Sequence, residues 1–173
     1  MAGSYVIPIS GLKEGRRQFD FEINREFFEE FEESEIMNGA LTAFVEADKV
    51  PTHIDLTIKI AGTVIIPCDR CLGEFAHNVS CENRLLVKFG KAIDESDPDI
   101  VTIPADENEL DLRQYFYEYI LLALPIQKVH PDNAVGNSTC DPEMLKKLEE
   151  HIINQENRHD PRWDELKKLI NNN

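Results

Sequence analysis

Alternating apolar and polar positions dominate the first half of the chain and predict a series of β-strands. The clearest stretch carries apolar side chains in a single phase, at Ile54, Leu56, Ile58, Ile60, Val64 and Ile66. Shorter alternating stretches run from Tyr5 to Ile9 and from Arg17 to Ile23, and longer ones run from Gly39 to Val50 and from Phe75 to Phe89. Because side chains alternate between the two faces of a strand, this pattern predicts an antiparallel sheet with one buried face.

The second half of the chain changes to helical spacing. Three apolar stripes follow Asp111, Asp141 and Asp160, and an aspartate directly before such a stripe is a helix N-cap signal. Asp111 together with Gln114 predicts a capping box. Asp141 and Asp160 are each followed by proline, which suits the first position of a helix. The spacing therefore predicts three helices in this half.

Two shorter elements complete the expected fold. A helix is predicted from Arg25 to about Glu33 with Asn24 as its N-cap, and an edge strand from Ile100 to Ile103. The chain is expected to adopt an α+β fold, an antiparallel β-sheet meander or open barrel with helices packed from the C-terminal half. We expect residues 1–153 to form this domain and residues 154–173 to form a linker and a C-terminal helix.

The charge balance is strongly acidic. The 173 residues include 18 Lys and Arg against 33 Asp and Glu, which gives a formal net charge of −15. Such an excess repels polyanions at long range, and non-specific RNA binding draws on clustered Lys and Arg, of which the sequence has no run. Any RNA contact is therefore expected at a local patch around Arg70, Arg84 and Lys88, or through a basic protein partner.

Nothing in the sequence predicts export or a membrane. Residues 1–15 contain no long apolar stretch of the signal-peptide type, and no apolar run approaches the ~18 residues of a membrane-spanning helix. The four cysteines, at positions 68, 71, 81 and 140, are therefore expected to be reduced thiols in a cytoplasmic protein.

The candidate chemistry centres on the motif Cys68-Asp69-Arg70-Cys71, which lies between two predicted strands. Two thiolates at this spacing can reach one zinc ion from a tight turn. His130 and Cys140 would supply the remaining ligands, and the nine residues between them exceed the ~2–5 of typical ligand pairs. Two other interpretations stay open. One is a turn without a metal, and the other is a redox pair, which is disfavoured because redox C-x-x-C motifs open a helix within a βαβ unit.

No catalytic motif accompanies these cysteines. The sequence has no P-loop, no dinucleotide-binding glycine motif, no nucleophile elbow and no zinc-protease helix motif. Cys81 shares the phase of Val79 and Leu85, which predicts a core position for its thiol. We therefore expect no catalytic residue, no small-molecule substrate and no enzyme activity.

Four motifs, in their order along the chain, are similar to those of one known family. They are the turn from Cys68 to Gly73, the segment from Glu118 to Pro125, the pair His130 and Cys140, and the run from Asp160 to Leu169. From about residue 10 onward, the chain resembles the large ribosomal RNA subunit accumulation protein family, also called the YceD-like family. The resemblance implies a non-enzymatic factor that promotes 23S-type ribosomal RNA accumulation and biogenesis of the large subunit. Its implied partners are ribosomal RNA or large-subunit ribosomal proteins.

The resemblance also implies a ligand set. Cys68 and Cys71 match the family's hairpin pair, and His130 and Cys140 match the start and end of its second loop. Fuller members carry a second C-x-x-C in that loop, where this chain keeps Cys140 and has His130 in place of another cysteine. A structural zinc would use these four residues. Two alternatives to a ribosomal role stay open: a zinc-stabilised protein-interaction module without that role, and an enzyme of the nuclease or thiol oxidoreductase class.

Overall fold

A five-stranded sheet forms the centre of the fold. The computed structural model describes residues 5–32, 34–90, 97–104 and 106–151. The strands are β1 (Val6–Pro8), β2 (Gly15–Ile23), β3 (Asn38–Lys49), β4 (His53–Pro67), β5 (Glu74–Phe89), β6 (Ile100–Ile103) and β7 (Glu109–Asp111). The helices are α1 (Arg25–Glu29), α2 (Arg113–Leu122) and α3 (Pro142–His151). The central sheet has the order β2-β3-β4-β5-β6, and β1 pairs with β7 in a separate two-stranded sheet.

The apolar phase that the sequence predicts for β4 forms the buried face of the sheet. Its six members are at most 2 % exposed: Ile54, Leu56, Ile58, Ile60, Val64 and Ile66. The register places buried residues of β3 beside them, with Val45 opposite Ile58 and Ala47 opposite Leu56. The other phase of β4 carries exposed charges such as Asp55 and Lys59. Because burying one Ile or Leu side chain contributes about 1.5–3 kcal/mol, this face is a main source of stability.

Helices and aromatic rings cover one end of the buried face. Phe116 and Ile120 of α2 are fully buried. The Tyr5 ring lies edge-on against the ring of Phe27 in α1 at 4.9 Å and against that of Phe116 at 6.2 Å. Asn24 caps α1 as predicted, because its Oδ1 accepts a hydrogen bond from the Phe27 N–H at 3.4 Å. The N-terminal segment is thereby joined to the helical half through a shared aromatic cluster.

The predicted fold class is confirmed, with two refinements. The sheet is open and mostly antiparallel, the described strands close no barrel, and the helices lie mostly in the C-terminal half. Strand β6 departs from a pure meander because it runs parallel to β5, with Ile100 opposite Leu86 and Ile103 opposite Phe89. Parallel neighbours cannot be joined by a tight hairpin, so the alternation of apolar residues alone does not predict this pairing. The other refinement is that α1 ends at Glu29, short of the predicted end near Glu33.

The capping box predicted for α2 is wrong. Leu112 occupies the N-cap position without a side-chain cap. Asp111 belongs to β7, where its Oδ1 accepts a hydrogen bond from the Arg113 N–H at 2.9 Å. The pairing of β1 with β7 keeps the backbone extended at this point, and the Leu112 N–H donates to the Tyr5 carbonyl at 2.9 Å. The helix therefore begins one residue later than the sequence signal from Asp111 and Gln114 indicates.

The β4–β5 hairpin positions the cysteine motif. β4 has 15 residues and β5 has 16, and their register pairs Pro67 with Glu74 at one end and His53 with Lys88 at the other. At ~3.3 Å per residue the hairpin is about 50 Å long. The turn from Cys68 to Gly73 therefore stands at the tip of a long arm.

Part of the expected architecture lies outside the described residues. The helix predicted after Asp141 is present as α3, none of whose residues is buried. The linker and helix expected over residues 154–173 fall outside the described ranges, so the boundary after residue 153 stays a prediction. Within residues 5–151, apart from the undescribed positions, no helix has the length and apolar character needed to cross a membrane.

Candidate metal centre

The tip of the β4–β5 hairpin folds into a tight turn that brings two thiols together. The Leu72 N–H donates to the Cys68 carbonyl, and the Cys68 N–H donates to the Gly73 carbonyl, both at 2.9 Å. Leu72 has a φ of 59°, a left-handed conformation that costs a non-glycine residue roughly 1–2 kcal/mol. The Arg70 N–H lies 3.5 Å from the Cys68 Sγ, a contact that favours the thiolate. The turn therefore holds Cys68 and Cys71 as one local unit.

The second pair of candidate ligands comes from the segment between α2 and α3, residues 125–140, which we call the strap. Two hydrogen bonds of 2.7 Å dock the strap on the turn. The Asp69 N–H donates to the Lys128 carbonyl, and the Lys128 N–H donates to the Asp69 Oδ2. His130 follows two residues later, and the Cys140 N–H donates to the Ser138 Oγ at 3.2 Å. The strap thus brings His130 and Cys140 against the turn.

Four side chains converge where the turn meets the strap: Cys68, Cys71, His130 and Cys140. Their ligand atoms all lie within 4.8 Å of one another. The Cys68 Sγ lies 3.7 Å from the Cys140 Sγ, and the Cys71 Sγ lies 3.4 Å from the His130 Nδ1. The Cys140 Sγ lies 3.7 Å from the same Nδ1. Zn–S bonds of ~2.3 Å and Zn–N bonds of ~2.0–2.1 Å separate tetrahedral ligand atoms by about 3.6–3.8 Å. These three separations are close to the edges of that tetrahedron.

The cluster is enclosed by protein. Its three cysteines are at most 6 % exposed, and the His130 ring packs 4.9 Å from the Phe75 ring. Gly73 lies directly beside the cluster, because a Cβ at this position would lie 3.5 Å from both the Cys71 Sγ and the His130 Cε1, at van der Waals contact. Three sulfur atoms and one nitrogen atom complete a tetrahedral coordination sphere, which is the pattern of structural zinc sites. The donor set therefore fits a structural zinc ion and leaves no coordination position for a substrate.

Hydrogen bonds prepare one thiol of the cluster to lose its proton. Burial raises the pKa of Cys68, but the backbone N–H groups of the turn and hydrogen bonds with His130 outweigh burial and lower the pKa to about 6. The Ser138 side chain lowers the pKa of Cys140, but burial and the neighbouring thiols raise it above its ordinary value. Cys68 is therefore largely a thiolate near neutral pH, and metal binding would displace a proton from Cys140.

The fourth cysteine stands apart from the cluster. Cys81 faces the core from β5, opposite Ile60 of β4, as its phase predicts, and burial raises the pKa of its thiol. The C-x-x-C motif lies in a hairpin turn between two strands and does not open a helix. This arrangement differs from a thioredoxin-like redox motif.

The structure does not form the basic patch that the sequence suggested. Arg70 lies in the turn at the hairpin tip, while Arg84 lies ten residues along β5 from Glu74. At ~3.3 Å per residue this is a distance of about 33 Å. Arg84 and Lys88 share one face of β5, but Arg70 is too far along the hairpin to join them in one patch.

Sequence reasoning identified the four cluster residues but not the residues that position them. Asp69 docks the strap, Phe75 packs against the His130 ring, and Ser138 hydrogen-bonds the Cys140 backbone. The signal for Asp69 was its place inside the C-x-x-C motif. The sequence offers no comparable signal for the other two, because their roles depend on contacts with distant segments.

Comparison with known proteins places this arrangement in a family. The family model described as Large ribosomal RNA subunit accumulation protein YceD matches residues 56–170, about two thirds of the chain. The matched region includes the hairpin tip, the strap and all four cluster residues. Searches of curated proteins and of solved structures found no match. Because the match covers more than half of the chain, the chain belongs to the YceD family of large ribosomal RNA subunit accumulation proteins.

Proposed function

We propose that this protein is a non-enzymatic factor that promotes accumulation of 23S-type ribosomal RNA and biogenesis of the large ribosomal subunit. The observation that carries this proposal is the family match over residues 56–170. The family's name refers to accumulation of large-subunit ribosomal RNA, and the expectation from the sequence motifs agrees with it. The closed donor set of the cysteine cluster supports a non-catalytic role, because catalytic zinc sites keep one position open for water or substrate.

A structural zinc held by Cys68, Cys71, His130 and Cys140 would fasten the strap to the hairpin tip. The strap has no helix or strand of its own, so few backbone hydrogen bonds hold it in place. An unfolded chain has no preformed site, and zinc binding would therefore stabilise the folded state. The expected result is a fixed surface formed by the hairpin tip, the strap and the end of α2.

The proposed partners are large-subunit ribosomal proteins or ribosomal RNA, met in the cytoplasm during subunit assembly. The net charge of −15 favours a basic protein partner over non-specific RNA contact. The separation of Arg70 from Arg84 and Lys88 along the hairpin also favours a protein partner over RNA. RNA affinity grows with the number of phosphates that neighbouring cations neutralise, and these three cations are not neighbours.

The zinc content of the purified protein tests the structural part of this proposal. Native mass spectrometry and elemental analysis are expected to give one zinc per chain. Cys71→Ser should lose the metal and unfold at lower temperature, whereas Cys81→Ser, which changes a cysteine outside the cluster, should retain it. With free zinc about 1,000-fold above its Kd, the lost stabilisation is about 4 kcal/mol. Metal-free wild-type protein that is as stable as zinc-loaded protein would rule out a structural zinc.

The cellular role is tested by the ratio of 23S-type to small-subunit ribosomal RNA. Deleting the gene should lower this ratio, and wild-type protein supplied from a plasmid should restore it. An unchanged ratio in the deletion strain would remove the ribosomal role. Purified protein should also leave 23S-type RNA intact during prolonged incubation, and cleavage that survives repurification would overturn the non-enzymatic assignment.

A further inference from the structure

A second face of α2 is only partly covered by the described part of the chain and is apolar toward the C-terminal end of the helix. The helix buries Phe116 and Ile120 against the core. Gln114, Tyr117 and Leu121 share another face, because residues three and four apart are neighbours on a helix. At and beyond the C-terminal end of α2, Leu122 is 79 % exposed and Ile126 is fully exposed.

Two cavities lie along this face. The first, of about 350 Å³, is lined by Glu30, Phe31, Asp111, Arg113 and Gln114. The second, of about 550 Å³, has a lining that includes Glu35, Tyr117, Leu121, Leu122, Ile126 and Lys128. The Phe31 ring of the first stacks on the Tyr117 ring of the second, with 3.8 Å between ring centroids. We call the two cavities together the α2 groove, which runs between α2 and the loop after α1.

The rim of the α2 groove is acidic. Residues 26–35 contain six glutamates, and Glu30 and Glu35 line the groove itself. The cations among its lining residues are already paired. Arg113 lies 2.8 Å from a Glu30 carboxylate oxygen and 2.7 Å from one of Asp111, and Lys128 pairs with Glu35. Glu29 is also paired, with Arg25, whereas Glu26 and Glu32 make no ion pair in the described part of the chain. These two carboxylates, together with the net charge of −15, attract positive charge to this side of the molecule.

We propose that the α2 groove binds a basic protein segment that carries apolar side chains between its Lys and Arg residues. The apolar side chains would fill the cavities beside Leu122 and Ile126, and the cations would approach the glutamates of the rim. Clusters of Lys and Arg are what proteins use to hold RNA phosphates. The proposed occupant is therefore an RNA-binding segment of a large-subunit ribosomal protein. This inference names the partner within the proposed function and rests on it.

Charge disfavours two other occupants. RNA would meet the acidic rim, and a second copy of this chain would bring a further net charge of −15 to it. The groove is also tied to the metal centre, because Lys128 lines the groove and its backbone is hydrogen-bonded to Asp69 in the cysteine turn. Docking of the strap therefore shapes one wall of the groove.

Site-specific cross-linking tests the occupant. A photoreactive amino acid replaces Leu122 in the full-length protein, which is mixed with purified large-subunit ribosomal proteins, with 23S-type RNA, or with neither. The expected product is a cross-link to a basic ribosomal protein, with a yield that falls as salt is raised. The matched control carries the photoreactive amino acid in place of Leu148 of α3, which is 42 % exposed and does not line the groove. Cross-links to RNA, to a second copy or within the chain, without any ribosomal protein, overturn the proposal.

Affinity for the cross-linked ribosomal protein provides the second test. Leu122→Asp combined with Ile126→Asp should raise the Kd about tenfold or more, because both side chains would be buried by the partner. Glu32→Lys should slow association, since it reverses one charge beside the groove. Leu148→Asp should leave the Kd unchanged, and zinc content should be equal in all variants. Equal Kd values for the wild type and the double variant refute the groove as the binding site.

The deletion strain separates failure of the groove from failure of the proposed function. If wild-type protein restores the 23S ratio and the double variant does not, the groove serves the ribosomal role. If the double variant restores the ratio as well as wild type does, the groove inference fails and the proposed function stands. If deletion leaves the ratio unchanged, the proposed function fails, and the cross-linking result alone decides whether the groove binds a basic protein.

Discussion

At Gly62 in β4, the backbone of β3 lies too close to leave room for a side chain. A Cβ at this position would lie 2.3 Å from the Ala40 carbonyl oxygen and 2.5 Å from the Leu41 Cα. Gly62→Ala should therefore destabilise the protein by about 3 kcal/mol, because backbone atoms of β3 cannot move aside cheaply. Chemical denaturation measures this cost. Gly11→Ala is the control, since a Cβ there meets no atom within 4 Å, and equal stability of the two variants would contradict the close approach of β3 and β4.

The pKa values of two cluster cysteines predict how zinc affinity depends on pH. Cys140 has a raised pKa and holds its proton near neutral pH, so zinc must displace that proton. The zinc Kd should therefore rise at least about tenfold when the pH falls from about 8 to about 7. A further rise is expected below pH 6, where Cys68, with a pKa of about 6, becomes protonated.

Competition with a chromogenic zinc chelator measures this pH dependence. The Cys81→Ser variant should follow the wild-type profile, because its thiol lies outside the cluster. A Kd that stays constant between about pH 8 and about pH 7 would show that Cys140 does not release a proton to the metal.

The candidate ligands could be predicted from the sequence, but the contacts that bring the two ligand pairs together could not. Cys and His are recognisable by type and spacing, and the C-x-x-C motif marks a tight turn. The nine residues between His130 and Cys140 argued against a site on spacing alone. The gap closes because Lys128 docks on Asp69, across 59 residues of sequence, and no local pattern encodes such a contact.

At the scale of elements, Asp69 links the hairpin tip to the strap. Its Oδ2 accepts the Lys128 N–H at 2.7 Å, so Asp69→Ala removes the acceptor and frees one side of the strap. The zinc Kd should rise about tenfold in this variant. This is the lower end of the loss in metal affinity that follows mutation of residues that orient metal ligands. Asp69→Asn keeps an oxygen acceptor and should bind zinc nearly as tightly as wild type. If the alanine variant also retained wild-type affinity, the hydrogen bond to the Asp69 carboxylate would not be needed to position the strap, because the backbone hydrogen bond from position 69 to Lys128 remains.

The positions of the strands along the chain were predicted more accurately than their pairing in the sheets. β4 and β5 follow the alternation of their residues closely, because one face of each strand is buried and the pattern records it. The direction of β6 and the pairing of β1 with β7 could not be predicted from the sequence, because each depends on contacts between segments that are far apart along the chain. The same long-range pairing explains why Asp111 failed as a predicted helix cap.

At the scale of the whole molecule, the metal cluster lies at one end of the core, and most of the core is formed by the sheet. The sheet buries a continuous set of apolar side chains on β3 and β4, to which the strap adds only Cys140 and the partly buried Val129. Removing zinc with a strong chelator is therefore expected to open the strap and leave the sheet folded, because local stability follows local burial. Hydrogen exchange should become much faster in peptides from residues 125–140 and stay slow in those from residues 41–60. Equal acceleration in both regions would mean that the fold as a whole requires the metal.

The distance along the chain between the two ligand pairs has a consequence for protein synthesis. Cys68 and Cys71 belong to a hairpin that is complete at Phe89, whereas His130 and Cys140 come after β6, β7 and α2. Translation delivers the first four strands of the central sheet well before the strap, and neighbouring antiparallel strands can pair as they emerge. Zinc would be captured late, once Cys140 has left the ribosome, so metal uptake would mark the chains whose translation has passed that residue.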